Sequence, residues 1–208
     1  MRRQIVTVVR TPPPSGDKGS LVGVTGTMNA GKSALVVAHM LQLQAAYGLE
    51  EPRIQIFSFP VHDHILSGPV SVTATLVRTT EEMKMALRKE TRLVVIDEAQ
   101  LIDVGTSHWQ TALTDFIVEL TASGVHCVVG GLLKTFEDEP FGCMPAIAEM
   151  ADETVEIIAE CLSCHEKMAT CNFRQGSPVG DAVERIAKEL YTRVCPDCHA
   201  RLAPECHK

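Results

Sequence analysis

An α/β fold, with a mainly parallel sheet and helices on both of its faces, is predicted by three observations. Short runs rich in Val and Ile alternate along the chain with segments of helical periodicity, the pattern of strands buried between helices. A glycine-bearing turn at residues 26–33 joins the first of these runs to the first helical segment. Two acidic residues, Asp97 and Glu98, close another run, at the strand end where open α/β sheets bind ligands.

The chain has 208 residues, 45% of them hydrophobic, enough for one sizeable core and a small satellite module. The expected division is an N-terminal extension and linker over 1–20, an α/β domain over 21–160, and a cysteine-bearing module with its tail over 161–208. Pro12, Pro13, Pro14, Gly16 and Gly19 mark the linker, because they sustain neither a helix nor a central strand. Acids outnumber bases by 26 to 19, for a net charge of −7. Neutralising a polynucleotide needs clustered Lys and Arg, so no stable nucleic-acid partner is expected. The apolar runs fall far short of the roughly 20 residues needed to cross a bilayer, so no membrane association is expected. Ile5 to Val9, flanked by Arg2, Arg3 and Arg10, is too brief for a secretory leader. A cytoplasmic location is the resulting expectation.

In order along the chain, the pattern predicts a strand over 21–25, a helix over 33–47 closed by Gly48, and a strand over 54–59. A helix over 80–89, with Glu81 and Glu82 in its first turn, and a buried strand over 93–96 follow. Next come a helix over 108–123, a strand over 125–130, a short helix over 145–150 and a last strand over 154–158.

Gly26-Thr27-Met28-Asn29-Ala30-Gly31-Lys32-Ser33 satisfies the G-x-x-x-x-G-K-S phosphate-loop pattern, between a strand and a helix as the chemistry requires. The domain is therefore expected to be of the P-loop, RecA-like kind. Glycines let the backbone N–H groups turn inward on phosphate oxygens, and the helix N-terminus adds its dipole. Lys32 would bridge the phosphates of ATP, and Ser33 would ligate Mg²⁺. Asp97-Glu98-Ala99-Gln100 supplies the other half of the site. Asp97 would hold the metal or its water, and Glu98 would take the proton from an attacking hydroxyl or water.

Cys161, Cys164, Cys195 and Cys198 form two Cys-x-x-Cys pairs about thirty residues apart, able to surround one structural Zn²⁺ tetrahedrally. His199 is an alternative to Cys198 as the fourth ligand. Cys127 and Cys143 read as core or loop residues.

The order of these features resembles the zinc-containing, type II thymidine kinases, from about Leu21 to about Cys198. Gly26 to Ser33 is similar to that family's G-x-M-x-x-G-K-S, and Asp97 to Gln100 to its D-E-x-Q. Gly131-Leu132, Phe136 and Pro140-Phe141-Gly142 resemble the stretch that walls the nucleoside pocket. Tyr191-Thr192-Arg193-Val194-Cys195 resembles the Y-x-x-x-C that ends the lasso closing over thymine. The resemblance implies transfer of the ATP γ-phosphate to the 5′-hydroxyl of thymidine, with Glu98 as base and Gln100 at the nucleotide. It further implies Mg²⁺, structural Zn²⁺ and a homo-oligomer, dimeric or tetrameric. Met28, Leu101, Leu132, Phe136, Phe141 and Tyr191 would line the nucleoside pocket, Met28 facing either the base or the neighbouring core. The pattern departs from the family at Leu101, where an aromatic is usual, at Leu133, where aspartate is usual, and at Asp63-His64-Ile65, which lacks the expected arginine. Residues 183–191 lack a glycine pair and have helical periodicity. Two other readings stand beside the first: a non-catalytic nucleotide-binding homologue, and a P-loop ATPase whose zinc ribbon holds nucleic acid.

Overall fold

The computed structural model describes residues 3–9, 17–60, 65–67, 69–175 and 190–202. Its strands are β1 (Arg3–Val9), β2 (Leu21–Gly26), β3 (Ile54–Ser58), β4 (Ile65–Ser67), β5 (Ser71–Thr73), β6 (Thr75–Leu76), β7 (Leu93–Asp97), β8 (His126–Gly130), β9 (Glu153–Glu160), β10 (Met168–Ala169), β11 (Cys171–Arg174) and β12 (Tyr191–Val194). The helices are α1 (Lys32–Tyr47), α2 (Thr80–Ala86), α3 (Ala112–Ala122), α4 (Met144–Met150) and α5 (Pro196–Leu202).

The main sheet runs β1-β9-β2-β8-β7-β3-β6, with β10 also on β9. Its strands from β9 to β6 are all parallel, while β1 and β10 lie antiparallel to β9. β7 shows why both faces must be covered: all five of its residues are buried, and alternate side chains leave on opposite sides. Leu93 and Val95 pack with Val36, Val37 and Met40 of α1. Val94 and Ile96 pack with Met83 of α2, Ile117 and Leu120 of α3, and Ile147 of α4. One helix thus covers one face and three cover the other, each buried aliphatic contributing about 1.5–3 kcal/mol. β11 and β12 pair separately and share a small core of Phe173 and Val194 with Cys161, Cys195 and Cys198.

Several boundaries differ from expectation, each for a non-local reason. Residues 3–9, expected in an extension, form an edge strand in register with all but the last residue of β9. Residues 10–16, most of the expected linker, lie outside the described residues. α2 stops at Ala86 and not at 89, because Gln55 of β3 inserts its side-chain amide there: Nε2 donates to the Ala86 carbonyl at 2.9 Å and Oε1 accepts the Arg88 N–H at 2.7 Å. The helix expected over 108–123 begins only at Ala112, preceded by turns. In those turns Trp109 is tied to the Gln100 carbonyl by its indole N–H at 2.8 Å. β9 outruns its expected end by two residues, because its far end pairs with β10.

Candidate active site and metal centre

The phosphate loop leaves β2 at Gly26, whose φ of 143° and whose Cα, so close to Ile157 that a Cβ would come within 2.3 Å of its carbonyl oxygen, admit only glycine. The turn continues through Asn29 at φ 56° and Gly31 at φ 110°. Gly31 caps α1 without a side-chain hydrogen bond, so the first N–H groups of the helix face the loop. Inside the loop, the Ala30 N–H and Lys32 Nζ converge on the Thr27 carbonyl, at 3.3 and 3.0 Å. Thr27 Oγ1 is buried with no hydrogen-bond partner among the described residues. An ammonium, a backbone N–H and an unpaired hydroxyl within one turn form a donor set that fits a phosphate anion.

Ser33, in the first turn of α1, donates its hydroxyl to Asp97 Oδ2 at 2.7 Å. Asp97 ends β7 at 3% exposure. Burial and the adjacent Glu98 charge push its carboxyl up to about 6, with Ser33 and Lys32 pulling the other way. A hydroxyl and a carboxylate side by side are the hard oxygen donors that suit Mg²⁺. Gly130 keeps the neighbouring strand end open, since a Cβ there would lie 2.4 Å from Val36 Cγ2 and 3.0 Å from Asp97 Oδ1.

Glu98 leaves the strand in the left-handed region, at φ 56°, a strained backbone of the kind that clusters at functional sites. Gln100 follows in a single 3₁₀ turn and is only 1% exposed. Its Nε2 donates to Glu98 Oε2 at 2.7 Å, and its Oε1 accepts the Leu132 N–H at 3.1 Å. Gln100, expected at the nucleotide, therefore engages both ends of its amide within the protein.

The expected pocket residues fall into groups. Leu101 is buried at 3% in the core, Phe141 packs against that core and meets Trp109 edge-on at 6.0 Å, and Leu132 is joined to Gln100 by its amide. Phe136 lies between Tyr191, 6.0 Å away, and the Arg174 guanidinium, 5.7 Å above its ring. Met28 is half-buried, its N–H donated to Asn172 Oδ1 at 2.8 Å. Leu133 packs on the core. Of the other departures, Asp63, His64 and residues 183–189 lie outside the described residues.

The sulfurs of Cys161, Cys164, Cys195 and Cys198 lie within 4.8 Å of one another and could hold a metal ion. Four thiolates at tetrahedral reach suit Zn²⁺ and leave no position open for chemistry. Burial opposes ionisation of Cys161, yet N–H groups of Cys164, Cys195 and Ser163 draw its thiol down to about 6. The fourth member is Cys198 and not His199, whose ring packs edge-on against Phe173 at 6.0 Å. Cys127 and Cys143 are buried in the main core.

Sequence reasoning missed Asn172, Arg174 and Arg193, which stand on β11 and β12 facing the loop and Phe136. Their signal is faint: charged or amide residues alternating with apolar ones in short runs beside cysteines.

The sequence model of the family described as thymidine kinase matches residues 19–199. Among similar proteins, a thymidine kinase of Bacteroides fragilis is 28% identical over 153 residues, covering 71% of each chain. One of Mycoplasma mobile is 29% identical over 158 residues, 75% of each chain. One of Porphyromonas gingivalis is 29% identical over 167 residues, 76% of this chain and 74% of its own. With a phosphate loop beside Asp97 and Glu98, a four-cysteine cluster and a family match over nearly its whole length, this chain belongs to the thymidine kinase family.

Proposed function

We propose that this protein transfers the γ-phosphate of ATP to the 5′-hydroxyl of thymidine. The observation that carries the reading is the 2.7 Å contact of Ser33 with Asp97, which unites the phosphate loop with the strand end bearing Glu98. Lys32 and the loop N–H groups bind and orient the phosphates. Ser33 and Asp97 are the residues that would hold Mg²⁺, which supplies neutralisation of phosphate charge when bound. Glu98, steered by Gln100, accepts the proton of the attacking hydroxyl. Phe136, Tyr191, Leu132 and Met28 are proposed to contact the nucleoside, and Zn²⁺ to occupy the four cysteines as a structural ion. A cytoplasmic homo-oligomer, dimeric or tetrameric, is part of the same reading. No helix among the described residues is long and apolar enough to cross a membrane.

The test is phosphorylation of radiolabelled thymidine by purified protein, run beside a panel of other nucleosides with zinc quantified in the same sample. Transfer to thymidine in preference to the rest supports the assignment. A folded, zinc-loaded sample without turnover on thymidine overturns it.

A further inference from the structure

Two strands of the cysteine module present buried polar side chains to the phosphate loop. Asn172 of β11 and Arg193 of β12 are cross-strand partners, exposed by only 8% and 2%. Asn172 receives the Met28 N–H at 2.8 Å and donates Nδ2 to the Lys134 carbonyl at 3.3 Å. Arg193 donates Nη1 to the Asn29 carbonyl at 2.8 Å and Nε to the Glu160 carbonyl at 3.0 Å. Its own carbonyl accepts the Leu162 N–H at 3.1 Å, inside the first Cys-x-x-Cys. One residue thus ties three parts together: its guanidinium joins the loop to the end of β9, and its backbone carbonyl holds a cysteine knuckle.

Burying a guanidinium is costly unless its donors are satisfied, and an aliphatic side chain would fill the same space without that cost. The effect on the loop accounts for its presence. Asn29 sits at φ 56°, a conformation unfavourable for a residue with a side chain, which persists when its surroundings hold it. The peptide unit is planar and trans, so fixing the Asn29 carbonyl toward Arg193 turns the Ala30 N–H to the opposite side. That side faces the Thr27 carbonyl, where Lys32 Nζ also converges.

We propose that Arg193, with Asn172 beside it, is a positioning residue for the nucleotide phosphates: the folded cysteine module sets the backbone of the phosphate loop. The proposal rests on the reading of residues 26–33 as a nucleotide site. It makes the module part of ATP binding, in addition to any part it has in the nucleoside pocket.

The experiment compares wild type with Arg193→Met, which keeps length and packing, with Arg193→Lys, which keeps the charge, and with Asn172→Ala. Binding of a non-hydrolysable ATP analogue is measured by calorimetry, zinc content by metal analysis, and KM separately for ATP and for nucleoside. Arg193→Met is expected to retain wild-type zinc and cooperative melting while losing about tenfold or more in affinity for the analogue, the scale of a lost charge-assisted hydrogen bond. Its nucleoside KM should change by less than about twofold, Arg193→Lys should recover part of the loss, and Asn172→Ala should lose about threefold or more. Undiminished analogue affinity in Arg193→Met overturns the proposal, as does loss of zinc in parallel with affinity, which would make Arg193 a residue of module folding alone. A wild-type protein that binds no analogue overturns the reading of the loop itself, an outcome distinct from the other two.

Discussion

Gln100 and Glu98 are joined by their side chains, the amide Nε2 donating to the carboxylate Oε2 at 2.7 Å, while Gln100 Oε1 is held by the Leu132 N–H at 3.1 Å. The proposed base is thereby given one orientation by a buried residue that is itself fixed to the polypeptide. Gln100→Ala should lower kcat about tenfold with little change in the KM for ATP, because it loosens the base and leaves the loop untouched. It should also cost about 1–3 kcal/mol of stability, since the Leu132 N–H loses its acceptor. Steady-state kinetics and denaturant melts read the two effects separately.

Removing the base itself tests the chemistry. Glu98→Gln keeps the shape and the hydrogen bond to residue 100 but cannot accept a proton. Its kcat should fall by about 10²–10⁴ while ATP affinity stays within about twofold of wild type. An equal loss of ATP binding would move Glu98 from proton transfer to nucleotide contact.

Asp97 gives the protein without metal or nucleotide a pH dependence of definite sign. Its carboxyl titrates at about 6 in the fold against 3.8 for an ordinary aspartate. The native state therefore holds this proton more tightly than the unfolded chain does. The stability it contributes is complete below about pH 3.8 and is lost as the pH rises through about 6, a change on the order of 2–3 kcal/mol. Asp97→Asn cannot ionise, so it should gain on wild type by that amount between about pH 4 and pH 7.5 in urea melts. A constant difference between the two proteins across that range would show that Asp97 titrates as an exposed carboxylate does.

Zinc removal should act on the module before the sheet. Cys161, Cys195 and Cys198 belong to the same small core as Phe173 of β11 and Val194 of β12, so the cysteine set and that core should fail together. Cys198→Ser, or a chelator, should release about one zinc per chain and lower Tm by about 10 °C. Amides of β11 and β12 should exchange with solvent well before those of β7 and β8, as hydrogen exchange would read out.

What could be read from the residues alone was what is local. The turn from β2 into α1 announces itself because glycine, lysine and serine must occupy fixed positions around a phosphate, and β7 because a strand buried on both faces reads as an apolar run, here Leu93 to Ile96 ahead of Asp97. The cysteine cluster was legible through spacing, while the placing of Cys198 in it, with the His199 ring edge-on to Phe173, needed the fold. What escaped depends on partners far away in sequence. β1 has no pattern of its own beyond five apolar or β-branched residues, and its place is given by backbone pairing with β9, about 150 residues on. α2 ends where Gln55 meets it, and α3 starts late because Trp109 bonds to Gln100. Arg193 reads as a surface charge in any single-sequence view, since nothing local shows that it meets the Asn29 carbonyl.

β9 carries a mechanical consequence. Each of its residues from 153 to 160 is committed to a ladder, with β1 throughout most of its length, with β2 as far as Ile157, and with β10 at Ala159 and Glu160. A joint needs a few residues at liberty to change their backbone angles, and this strand has none to offer before Cys161. The first Cys-x-x-Cys pair is in effect welded to the sheet beside the phosphate loop. Two reporter dyes, one on α3 and one on α5, should accordingly hold a single separation through the whole reaction cycle, so any opening that admits substrate belongs to loops and side chains and not to a swinging domain.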